Sequence, residues 1–403
     1  MKRTLLIVVG DLDVGGTAQH LTQVLPRLNR DGFQVLVYAL THKGVLAPKL
    51  EAAGVPVLEP WGGSVVRRLL PRAVGYALLL PLTAVRLTLL MRRRKPDIAH
   101  FFLPMAYLVG GLCALVARVP CRAMSRRNLA TYQLKHPLLA RLERRLHRHV
   151  RMAVGNSKAV VAQLRLEGIP EEKLGLIYNG LDLSAVVTAT KKTTRKALLS
   201  AYRIGEETLV LILVANLIYY KGHTGLLRAL GRVREQLPRE WVLLCVGRDD
   251  GIGEALAEVA RENRLARHVH WLGPRSDVAA LLALSDIGLL CSDQEGFSNS
   301  LLESMAAGLP MVVTNVGGNA EAVVDGETGF VVPQQDAGRL GGAILRLAGD
   351  AALRRRMGQA GQARVARRFT LEACAQAYAG LYERLLADGV APSRARATRG
   401  RPS

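Results

Sequence analysis

Short apolar runs alternate with longer segments of helical spacing along the first half of the chain. Residues 4–10 (TLLIVVG) form a continuous apolar run, which is typical of a buried strand, whereas residues 18–28 repeat apolar positions every three or four residues, as an amphipathic helix does. The alternation continues to a last strand-like run at 176–178, which is followed by the turn dipeptide Asn179-Gly180. Alternating strands and helices predict an α/β fold with a doubly wound parallel sheet.

The same alternation restarts after a polar segment, rich in lysine and threonine, between Ser184 and Gly205. Strand-like runs at 209–215, 241–247 and 287–290 again alternate with helical patterns, so a second sheet of the same type is predicted. Residues after Asp388 have no apolar periodicity and are predicted to be disordered. The predicted organisation is a first domain at 1–183, a linker at 184–204, a second domain at 205–370, a helix at about 371–386 that packs back on the first domain, and a basic tail at 388–403.

The longest apolar stretch lies between Leu69 and Met91. Two arginines and two prolines interrupt it, and its uninterrupted part is about 13 residues long, whereas a spanning helix needs about 20. We therefore predict a helix that packs on the first sheet rather than a transmembrane helix. A helix that lies in a membrane interface is the alternative, because basic residues at 67–68 and 92–95 flank the stretch.

Positive charge is concentrated in the first half of the chain. The 55 lysines and arginines exceed the 33 aspartates and glutamates, giving a formal charge of +22, and residues 1–190 contain 27 of the cations against 11 of the acids. This distribution predicts an anionic partner for the first domain: a membrane surface, a phosphorylated acceptor or a nucleic acid. An arginine-rich solvated surface without a specific partner is the alternative.

Neither the cysteine spacing nor the N-terminus indicates a secreted protein. The five cysteines are scattered without a CxxC pair, so neither a disulfide framework nor a zinc site is predicted. The first apolar run leads directly into a glycine-rich turn, which is typical of a first strand and not of a secretory signal. We expect a cytoplasmic protein that can lie peripherally on the inner face of the cytoplasmic membrane.

The turn after the first strand, GDLDVGGTAQH at Gly10–His20, places small residues where a strand leads into a helix. Backbone N–H groups can approach an anion at such a turn, and the positive end of the helix dipole favours negative charge there. The turn matches neither GxGxxG nor the phosphate-binding P-loop. Asp11 and Asp13 resemble a metal-binding carboxylate pair but lie in a different context, so no metal site is predicted.

The most informative segment is EGFSNSLLESMAAGLPMVVTNVGGNAEAVVDGETGFVVP, residues 295–333. Ser300 is predicted to cap a helix in which Glu303 completes a capping box, and this gives Glu303 a purely structural interpretation. In the functional interpretation, Glu295 lies at the mouth of a cleft beside the amides of the next loop, and Glu303 accepts hydrogen bonds from ribose hydroxyls.

This segment resembles the donor-binding signature of the retaining glycosyltransferases of family 4. The resemblance extends from Leu5 to about Leu386 through further ordered matches: Gly15-Gly16, PDIAHFFLP at 96–104, VGNSKAV at 154–160, GIPEEKLGLIYNGLD at 168–182 and ANLIYYKGH at 215–223. It implies a GT-B fold, in which two Rossmann-like domains face each other across an interdomain cleft. It also implies a nucleotide-diphosphate-sugar donor as co-substrate, metal-independent transfer with retention of configuration, and no cofactor.

The resemblance also assigns roles to residues on both sides of the cleft. Lys221 would bind the donor diphosphate, Glu295 the sugar hydroxyls and Glu303 the ribose. The candidate catalytic residues are Lys221, Glu295 and His100. The other donor-binding residues implied by position are Gly15, Gly16, Asn216, Gly247, Arg248, Gly273, Arg275, Gly296, Phe297, Ser298 and Asn299.

Two departures from the family pattern affect these assignments. The loop Asn216–Tyr220 lacks the arginine that many members have before the lysine, so Lys221 carries the diphosphate charge alone unless Arg248 or Arg275 contributes. Many members also have a histidine pair at the end of the strand near residue 102, whereas this chain has His100 followed by phenylalanine at the second place. His100 is therefore either a catalytic residue or a histidine satisfied within the sheet.

The predicted function is sugar transfer to a glycan or lipid-linked acceptor, in envelope or exopolysaccharide synthesis. The basic charge leaves a non-catalytic membrane or nucleic-acid adaptor as an alternative. However, only 5% of the residues are aromatic and no nucleic-acid-binding motif is present, so no nucleic-acid partner is predicted. Another nucleotide-sugar enzyme of the same fold, such as an epimerase or hydrolase, is the second alternative. A dehydrogenase is not expected because the GxGxxG turn is missing.

Overall fold

A seven-stranded parallel sheet organises the first half of the chain. A computed structural model of the protein describes residues 2–69, 72–129, 132–184 and 204–389. The strands are β1 (Arg3–Val9), β2 (Phe33–Ala39), β3 (Val57–Leu58), β4 (Ile98–Phe102), β5 (Cys121–Arg126), β6 (Met152–Gly155) and β7 (Leu174–Leu176). Their order across the sheet is β3-β2-β1-β4-β5-β6-β7.

Helices pack on both faces of this sheet, because alternate residues of each buried strand point to opposite sides. Leu5, Ile7 and Val9 of β1 pack in one core layer, whereas Leu6 and Val8 pack in the other. The helices of this half are α1 (Gly16–Arg30), α2 (Ala47–Ala52), α3 (Gly63–Leu69), α4 (Arg72–Arg94), α5 (Pro104–Val116), α6 (Tyr132–Lys135), α7 (Pro137–His147) and α8 (Lys158–Leu166).

A six-stranded parallel sheet organises the second half. Its strands are β8 (Leu209–Val214), β9 (Trp241–Val246), β10 (Val269–Gly273), β11 (Ile287–Leu290), β12 (Met311–Thr314) and β13 (Gly329–Val332), in the order β10-β9-β8-β11-β12-β13. The helices are α9 (His223–Val233), α10 (Gly253–Glu262), α11 (Val278–Leu284), α12 (Asn299–Ala306), α13 (Asn319–Ala322), α14 (Ala337–Gly349) and α15 (Ala351–Arg368). The predicted pair of parallel α/β sheets is confirmed.

The final helix, α16 (Leu371–Gly389), packs against the first sheet although it follows the second. Leu371, Tyr378 and Leu385 are buried in the same core layer as Leu5 of β1. We call the first sheet with its helices and α16 the first domain, and the second sheet with its helices the second domain. Residues 185–203 of the predicted linker and residues 390–403 of the predicted tail lie outside the described residues.

The long apolar stretch of the sequence forms most of α4. The helix continues through Pro81 to Arg94, and Leu87 and Met91 are buried in the core layer that contains Leu6 of β1. Leu82, Val85 and Leu89 remain exposed on its other side. The helix therefore packs on the sheet, and none of the described helices is long and apolar enough to cross a membrane.

Candidate active site

Both sheets reverse their strand order at one point, and the candidate site lies where these two points meet. The reversal separates β1 from β4 in the first sheet and β8 from β11 in the second. Ligands of open parallel sheets bind in the crevice outside the carboxyl ends of the strands at such a reversal. The two crevices are in contact, because the side-chain amide of Asn299 donates a hydrogen bond of 3.2 Å to the carbonyl oxygen of Gly16.

A largely buried ion pair between Lys221 and Glu295 lies at the crevice of the second sheet. The Nζ atom of Lys221 is 2.6 Å from Oε1 of Glu295, and the hydroxyl of Ser292 donates to the same oxygen at 2.8 Å. The two side chains are 19% and 9% exposed. An unpaired charge buried at this position would cost several kcal/mol. Here each charge compensates the other.

The backbone after Lys221 fixes the position of this lysine. Lys221 ends a short 3₁₀ turn, and the next residue, Gly222, adopts φ = 75° before α9 begins. A Cβ at Gly222 would overlap the carbonyl oxygen of Cys291, which follows β11. Glycine therefore meets two requirements at once, the left-handed conformation and the close approach of the start of α9 to the residue after β11.

The loop Gly296–Asn299 is held against the first domain by an amide network. The Asn179 side chain donates to the carbonyl oxygen of Phe297 at 2.7 Å and to Oδ1 of Asn299 at 2.6 Å. Arg127 in turn donates to Oδ1 of Asn179 at 2.7 Å. A Cβ at Gly296 would overlap the carbonyl oxygen of Arg127, so only glycine allows this approach.

Phe297 contributes its backbone to this network and its ring to the packing between the domains. The ring centre lies 5.0 Å from that of Tyr178 and 5.2 Å from that of Phe369. The side chain is buried. The ring of Phe297 is therefore used for packing between the domains.

The cap of α12 differs from the prediction. The hydroxyl of Ser298 accepts a hydrogen bond from the amide of Leu301 at 3.3 Å, and α12 begins at Asn299. Ser298 has an extended backbone, with ψ = 128°, and this directs its hydroxyl towards the first free amides of the helix. Ser300 lies inside the first turn, so the predicted capping box between Ser300 and Glu303 is wrong.

Glu303 instead faces a narrow cleft of about 290 Å³ between α1 and α12. Gln23, Lys49 and Asn299 line the same cleft. Burial raises the pKa of Glu303 to about 7. The carboxyl group is thus free of the capping role and lies near the interdomain contact.

Gly15 and Gly16 form the start of α1 on the opposite side of the contact. Gly15 is the N-cap residue and, having no side chain, makes no capping hydrogen bond to the first amides of α1. Such uncapped amides at a helix start are groups that bind anions.

Asp13 lies 3.1 Å from His42 and accepts from the amide of Val45, and Asp11 accepts from the amide of Asp13 at 3.1 Å. Both carboxylates therefore have structural partners. In residues 2–69, 72–129, 132–184 and 204–389 no group of three or more His, Cys, Asp or Glu is arranged to hold a metal ion.

The remaining predicted donor residues follow β8, β9 and β10. Oδ1 of Asn216 accepts from the amide of Arg248 at 3.1 Å, and a Cβ at Gly247 would overlap the carbonyl oxygen of Ala215. Gly273 ends β10 with φ = 63°. The side chains of Arg248 and Arg275 form ion pairs of 2.7 and 2.8 Å with the aspartates two residues later, Asp250 and Asp277. The charge of each arginine is therefore partly compensated within its own loop.

His100 does not lie at this site. It is fully buried, with Nδ1 2.7 Å from the Tyr382 hydroxyl and Nε2 2.8 Å from the Ser125 hydroxyl. Burial, with a smaller contribution from the positive charge of Arg127, lowers its pKa to about 3. The prediction of a catalytic His100 is therefore corrected: both ring nitrogens are occupied in the core, and the structural interpretation is the one that the geometry supports.

Several residues at the contact were not identified from the sequence. Ser292, Arg127 and Asn179 each follow the carboxyl end of a strand, and this position was a usable signal. For Asn179, the sequence pattern indicates only a turn. Glu321 had no signal at all, although its carboxylate accepts from the amides of Lys158 and Ala159 at the start of α8 in the other domain, at 2.9 and 3.4 Å.

Comparisons with known proteins agree with this architecture. Residues 14–185 match the model of Glycosyltransferase Family 4, and residues 194–364 match that of Glycosyl transferases group 1. The chain is 29% identical over 219 residues to N-acetyl-alpha-D-glucosaminyl L-malate synthase of Bacillus anthracis, covering 54% of this chain and 56% of that protein. It is 32% identical over 174 residues to glycogen synthase of Mycobacterium tuberculosis, covering 43% and 42%. The chain thus spans about half the length of the curated relatives it matches.

The fold is also that of a solved structure, the Anabaena protein Alr3699/HepE. Its complex with UDP matches with a TM-score of 0.79 and 22% identity over 95% of this chain and 100% of that one. Its complex with UDP-glucose matches with a TM-score of 0.78, also at 22% identity, over 94% and 99%. The two family models adjoin and together match most of this sequence, and the two sheets have the GT-B arrangement. The chain belongs to the group 1, family 4 glycosyltransferases.

Proposed function

We propose that the protein transfers a sugar from a nucleotide-diphosphate-sugar to an acceptor, with retention of the anomeric configuration. The observation that carries this proposal is the Lys221–Glu295 pair at the end of β11, opposite the start of α1 at Gly16. The first amides of α1 provide partial positive charge, and Lys221 provides an ammonium group whose charge is partly compensated by Glu295. A diphosphate between them would meet cationic groups from both domains. The UDP and UDP-glucose bound by Alr3699/HepE support a donor of this class.

The proposed reaction exchanges one bond to the anomeric carbon for another. The bond to the departing diphosphate oxygen breaks while the acceptor oxygen bonds on the same face, and the acceptor proton passes to a phosphate oxygen. Lys221 and the α1 amides stabilise the charge that develops on the diphosphate. Glu295 holds hydroxyls of the transferred sugar. This scheme needs no protein nucleophile and no base at His100.

We also propose that transfer is independent of a divalent metal ion. Lys221 and the helix N-terminus would neutralise the charge that a metal offsets in other enzymes, and Asp11 and Asp13 have other partners. The expected result is that transfer continues in EDTA. Loss of transfer in EDTA, with recovery on adding Mn²⁺ or Mg²⁺, would contradict this part of the proposal.

The acceptor is proposed to be a glycan or lipid-linked molecule of envelope or exopolysaccharide synthesis, used at the inner face of the cytoplasmic membrane. The excess of cations in residues 1–190 supports an anionic surface as partner of the first domain. Each lysine or arginine near an anionic leaflet contributes about 1 kcal/mol, and salt weakens this attraction. Binding to anionic vesicles at low salt, with release at high salt, is the expected behaviour.

A donor panel tests the central proposal. Thermal stabilisation is measured with UDP-, GDP- and ADP-sugars, and the stabilising donor is then used in a transfer assay with a panel of acceptors. We expect one nucleotide class to stabilise the native protein, and the variant Lys221→Ala to lose most of that stabilisation. If no nucleotide-sugar stabilises the folded protein at millimolar concentration, the proposal is wrong.

A further inference from the structure

Arg127 is a buried arginine that has only neutral partners. It follows β5, and 8% of its surface is exposed. Its Nη2 atom donates to Oδ1 of Asn179 at 2.7 Å, whereas the buried Nη1 atom has no hydrogen-bond partner among the described residues. None of the ion pairs within the described part of the chain includes Arg127. Burying a charge without a counter-charge opposes folding, so the stability of the fold does not account for an arginine here.

The preceding residue, Arg126, shows how the same strand end accommodates a buried arginine. Its side chain is fully buried, and its guanidinium group pairs with the carboxylates of Glu143 and Glu167. Arg127 is one residue further along the chain and has no such carboxylate partners. The positive charge at the end of β5 is therefore compensated at one arginine and left uncompensated at the other.

The charge of Arg127 acts on the buried groups around it. Burial lowers the pKa of His20 and of His100, and the positive charge of Arg127 lowers both pKa values further. Both imidazoles are therefore neutral at neutral pH. The guanidinium group keeps its own charge in surroundings from which water is largely excluded, and there a hydrogen bond to an ion is stronger than in water.

A chain of hydrogen bonds leads from Arg127 to the donor crevice. Asn179 accepts from Arg127, and its amide nitrogen donates to the carbonyl oxygen of Phe297 at 2.7 Å and to Oδ1 of Asn299 at 2.6 Å. Asn299 donates in turn to the carbonyl oxygen of Gly16, at the start of α1. The chain therefore joins the end of β5 to both sides of the proposed diphosphate site.

The backbone of Arg127 is fixed by the contact between the domains. Its carbonyl oxygen accepts from the side chain of Asn156 at 3.1 Å, and a Cβ at Gly296 would overlap it. The carbonyl oxygen of Gly296 accepts in turn from the amide of Gly318 at 2.7 Å. Arg127 thus starts the chain of hydrogen bonds from a position that the loop before α12 itself defines.

The end of the chain reaches an amide that is available to a ligand. The carbonyl oxygen of Phe297 belongs to the same peptide group as the amide of Ser298, and this amide has no acceptor among the described residues. Hydrogen bonds in a chain polarise one another, and an ionised donor at the start strengthens the effect. The charge of Arg127 therefore increases the positive character of the Ser298 amide.

We propose that Arg127 is a positioning residue for the proposed sugar transfer. Acting through Asn179, it holds the peptide between Phe297 and Ser298 in place and polarises the Ser298 amide towards the diphosphate of the donor. Arg127 itself does not touch the donor. The inference rests on the proposed transfer and adds to it a residue of the first domain, outside the donor-binding set that the family pattern indicates.

The variant Asn179→Asp separates positioning from stability. A carboxylate at residue 179 still accepts from Arg127 and gives it a counter-charge, but it cannot donate to Phe297 or Asn299. UDP, GDP and ADP are first compared by thermal stabilisation of the native protein, and the most stabilising of them is used in calorimetry. We expect Asn179→Asp to weaken binding of that nucleotide at least about tenfold. Its melting temperature without nucleotide should be no lower than that of the native protein.

The variants Arg127→Met and Arg127→Lys test the charge. Replacing an unpaired buried charge by an apolar side chain of similar length should leave the melting temperature unchanged or raise it. We expect nucleotide affinity to fall at least about tenfold in Arg127→Met and by less in Arg127→Lys, which keeps the charge. Arg122→Met is the matched control, because Arg122 lies at the other end of β5 and donates to the backbone carbonyls of His149 and Val119. Its nucleotide affinity should equal that of the native protein.

The outcomes separate this inference from the proposed function. Native-like nucleotide affinity in Asn179→Asp, or equal affinities in Arg127→Lys and Arg127→Met, overturns the inference. A melting temperature without nucleotide that falls in step with affinity assigns a structural role and also overturns it, as does an equal loss in Arg122→Met. If a nucleotide stabilises the native protein and the variants bind it equally well, only the positioning role is wrong. If none of the three nucleotides stabilises the native protein, the proposed sugar transfer itself fails.

Discussion

The two crevices that meet in this protein have the same topology but differ in chemical character. In the second domain, β11 is followed by Ser292 and Glu295, which form a hydrogen-bonded and ion-paired cluster with Lys221. In the first domain, β4 is followed by Leu103, Pro104 and Met105, which line a mainly apolar cavity that Asp11 and Asp13 border on the β1 side. The strand order places both sets of residues at a reversal point, but the residues that follow the strands decide which ligand each crevice suits.

This difference in lining bears first on the proposed donor. A charged nucleotide needs compensating charge and many hydrogen bonds, which the second domain and the start of α1 provide. The crevice of the first domain is lined mainly by apolar side chains and offers no lysine or arginine among its lining residues. Changes at the charged cluster of the second domain and at the residues that support it should therefore affect the donor, and the following predictions test this from the largest effect to the smallest.

The largest effect is expected at the ion pair itself. Lys221→Ala and Glu295→Gln should each reduce turnover by at least about 100-fold, because one charged contact to the transition state is worth roughly 2.7–4 kcal/mol. Steady-state kinetics with purified protein measures this. Lys43→Ala is the control, since it removes a lysine from a more exposed ion pair, with Glu51, of similar length at 2.7 Å against 2.6 Å. Near-normal turnover of Lys221→Ala would contradict the site assignment, and so would an equal loss in Lys43→Ala.

A smaller but clear effect is expected from the glycine that follows Lys221. Gly222→Ala adds a Cβ against the Cys291 carbonyl oxygen at φ = 75°. We expect a loss of about 1–3 kcal/mol in the free energy of unfolding and at least a tenfold loss of turnover, because Lys221 is displaced. Gly225→Ala, three residues later, meets no atom within 4 Å and should be neutral or slightly stabilising. Denaturant unfolding compares the two, and similar results for both would contradict the interpretation.

The contact between the domains should be weakened moderately by Glu321→Gln. Its carboxylate caps α8 of the first domain and accepts from the Tyr178 hydroxyl at 2.9 Å. Losing a charged cap costs about 0.5–2 kcal/mol, so we expect a KM for the donor that is up to tenfold higher and a larger radius of gyration by X-ray scattering. Glu327→Gln, exposed on the same domain, should change neither. An unchanged radius with an altered KM would indicate that Glu321 acts on the donor site by another route.

The smallest effect concerns pH and Glu303. Its pKa is raised to about 7 by burial, so the carboxyl group is largely protonated at pH 6 and ionised at pH 8. Ribose hydroxyls donate to the ionised form, so donor affinity should rise a few-fold between pH 6 and pH 8. Without donor, the stability of the fold changes with pH in the opposite direction. Between the ordinary pKa of 4.5 and about 7, the carboxyl group keeps its proton in the folded state but loses it in the unfolded state. The contribution of Glu303 to the free energy of unfolding therefore falls as pH rises through that window. Glu303→Gln should remove both dependences, and affinity that still rises with pH in that variant would assign the effect to another group.

The sequence and the structure differ most informatively at His100 and Ser300. The sequence allowed two roles for His100, and the hydroxyl of Tyr382, 282 residues away in the chain, supports the structural one. A helix that returns from the end of the chain cannot be anticipated from residues around a strand. At Ser300, the local pattern of a serine followed by a glutamate indicated a capping box, but the cap is set by the backbone of Ser298, which the loop path determines.

The amino-acid sequence by itself determined the two parallel sheets and the segments that border the cleft. Buried parallel strands need continuous apolar runs, and strand ends need turns and glycines, and both signals are local. The sequence also located Lys221 and Glu295 by their family pattern.

Tertiary structure alone decided that these two residues, 74 positions apart, form an ion pair, that His100 is buried, and that the residues after β4 enclose an apolar cavity. Burial and pairing depend on what packs against a residue from distant parts of the chain, and that information becomes available only when the sheets and α16 have come together.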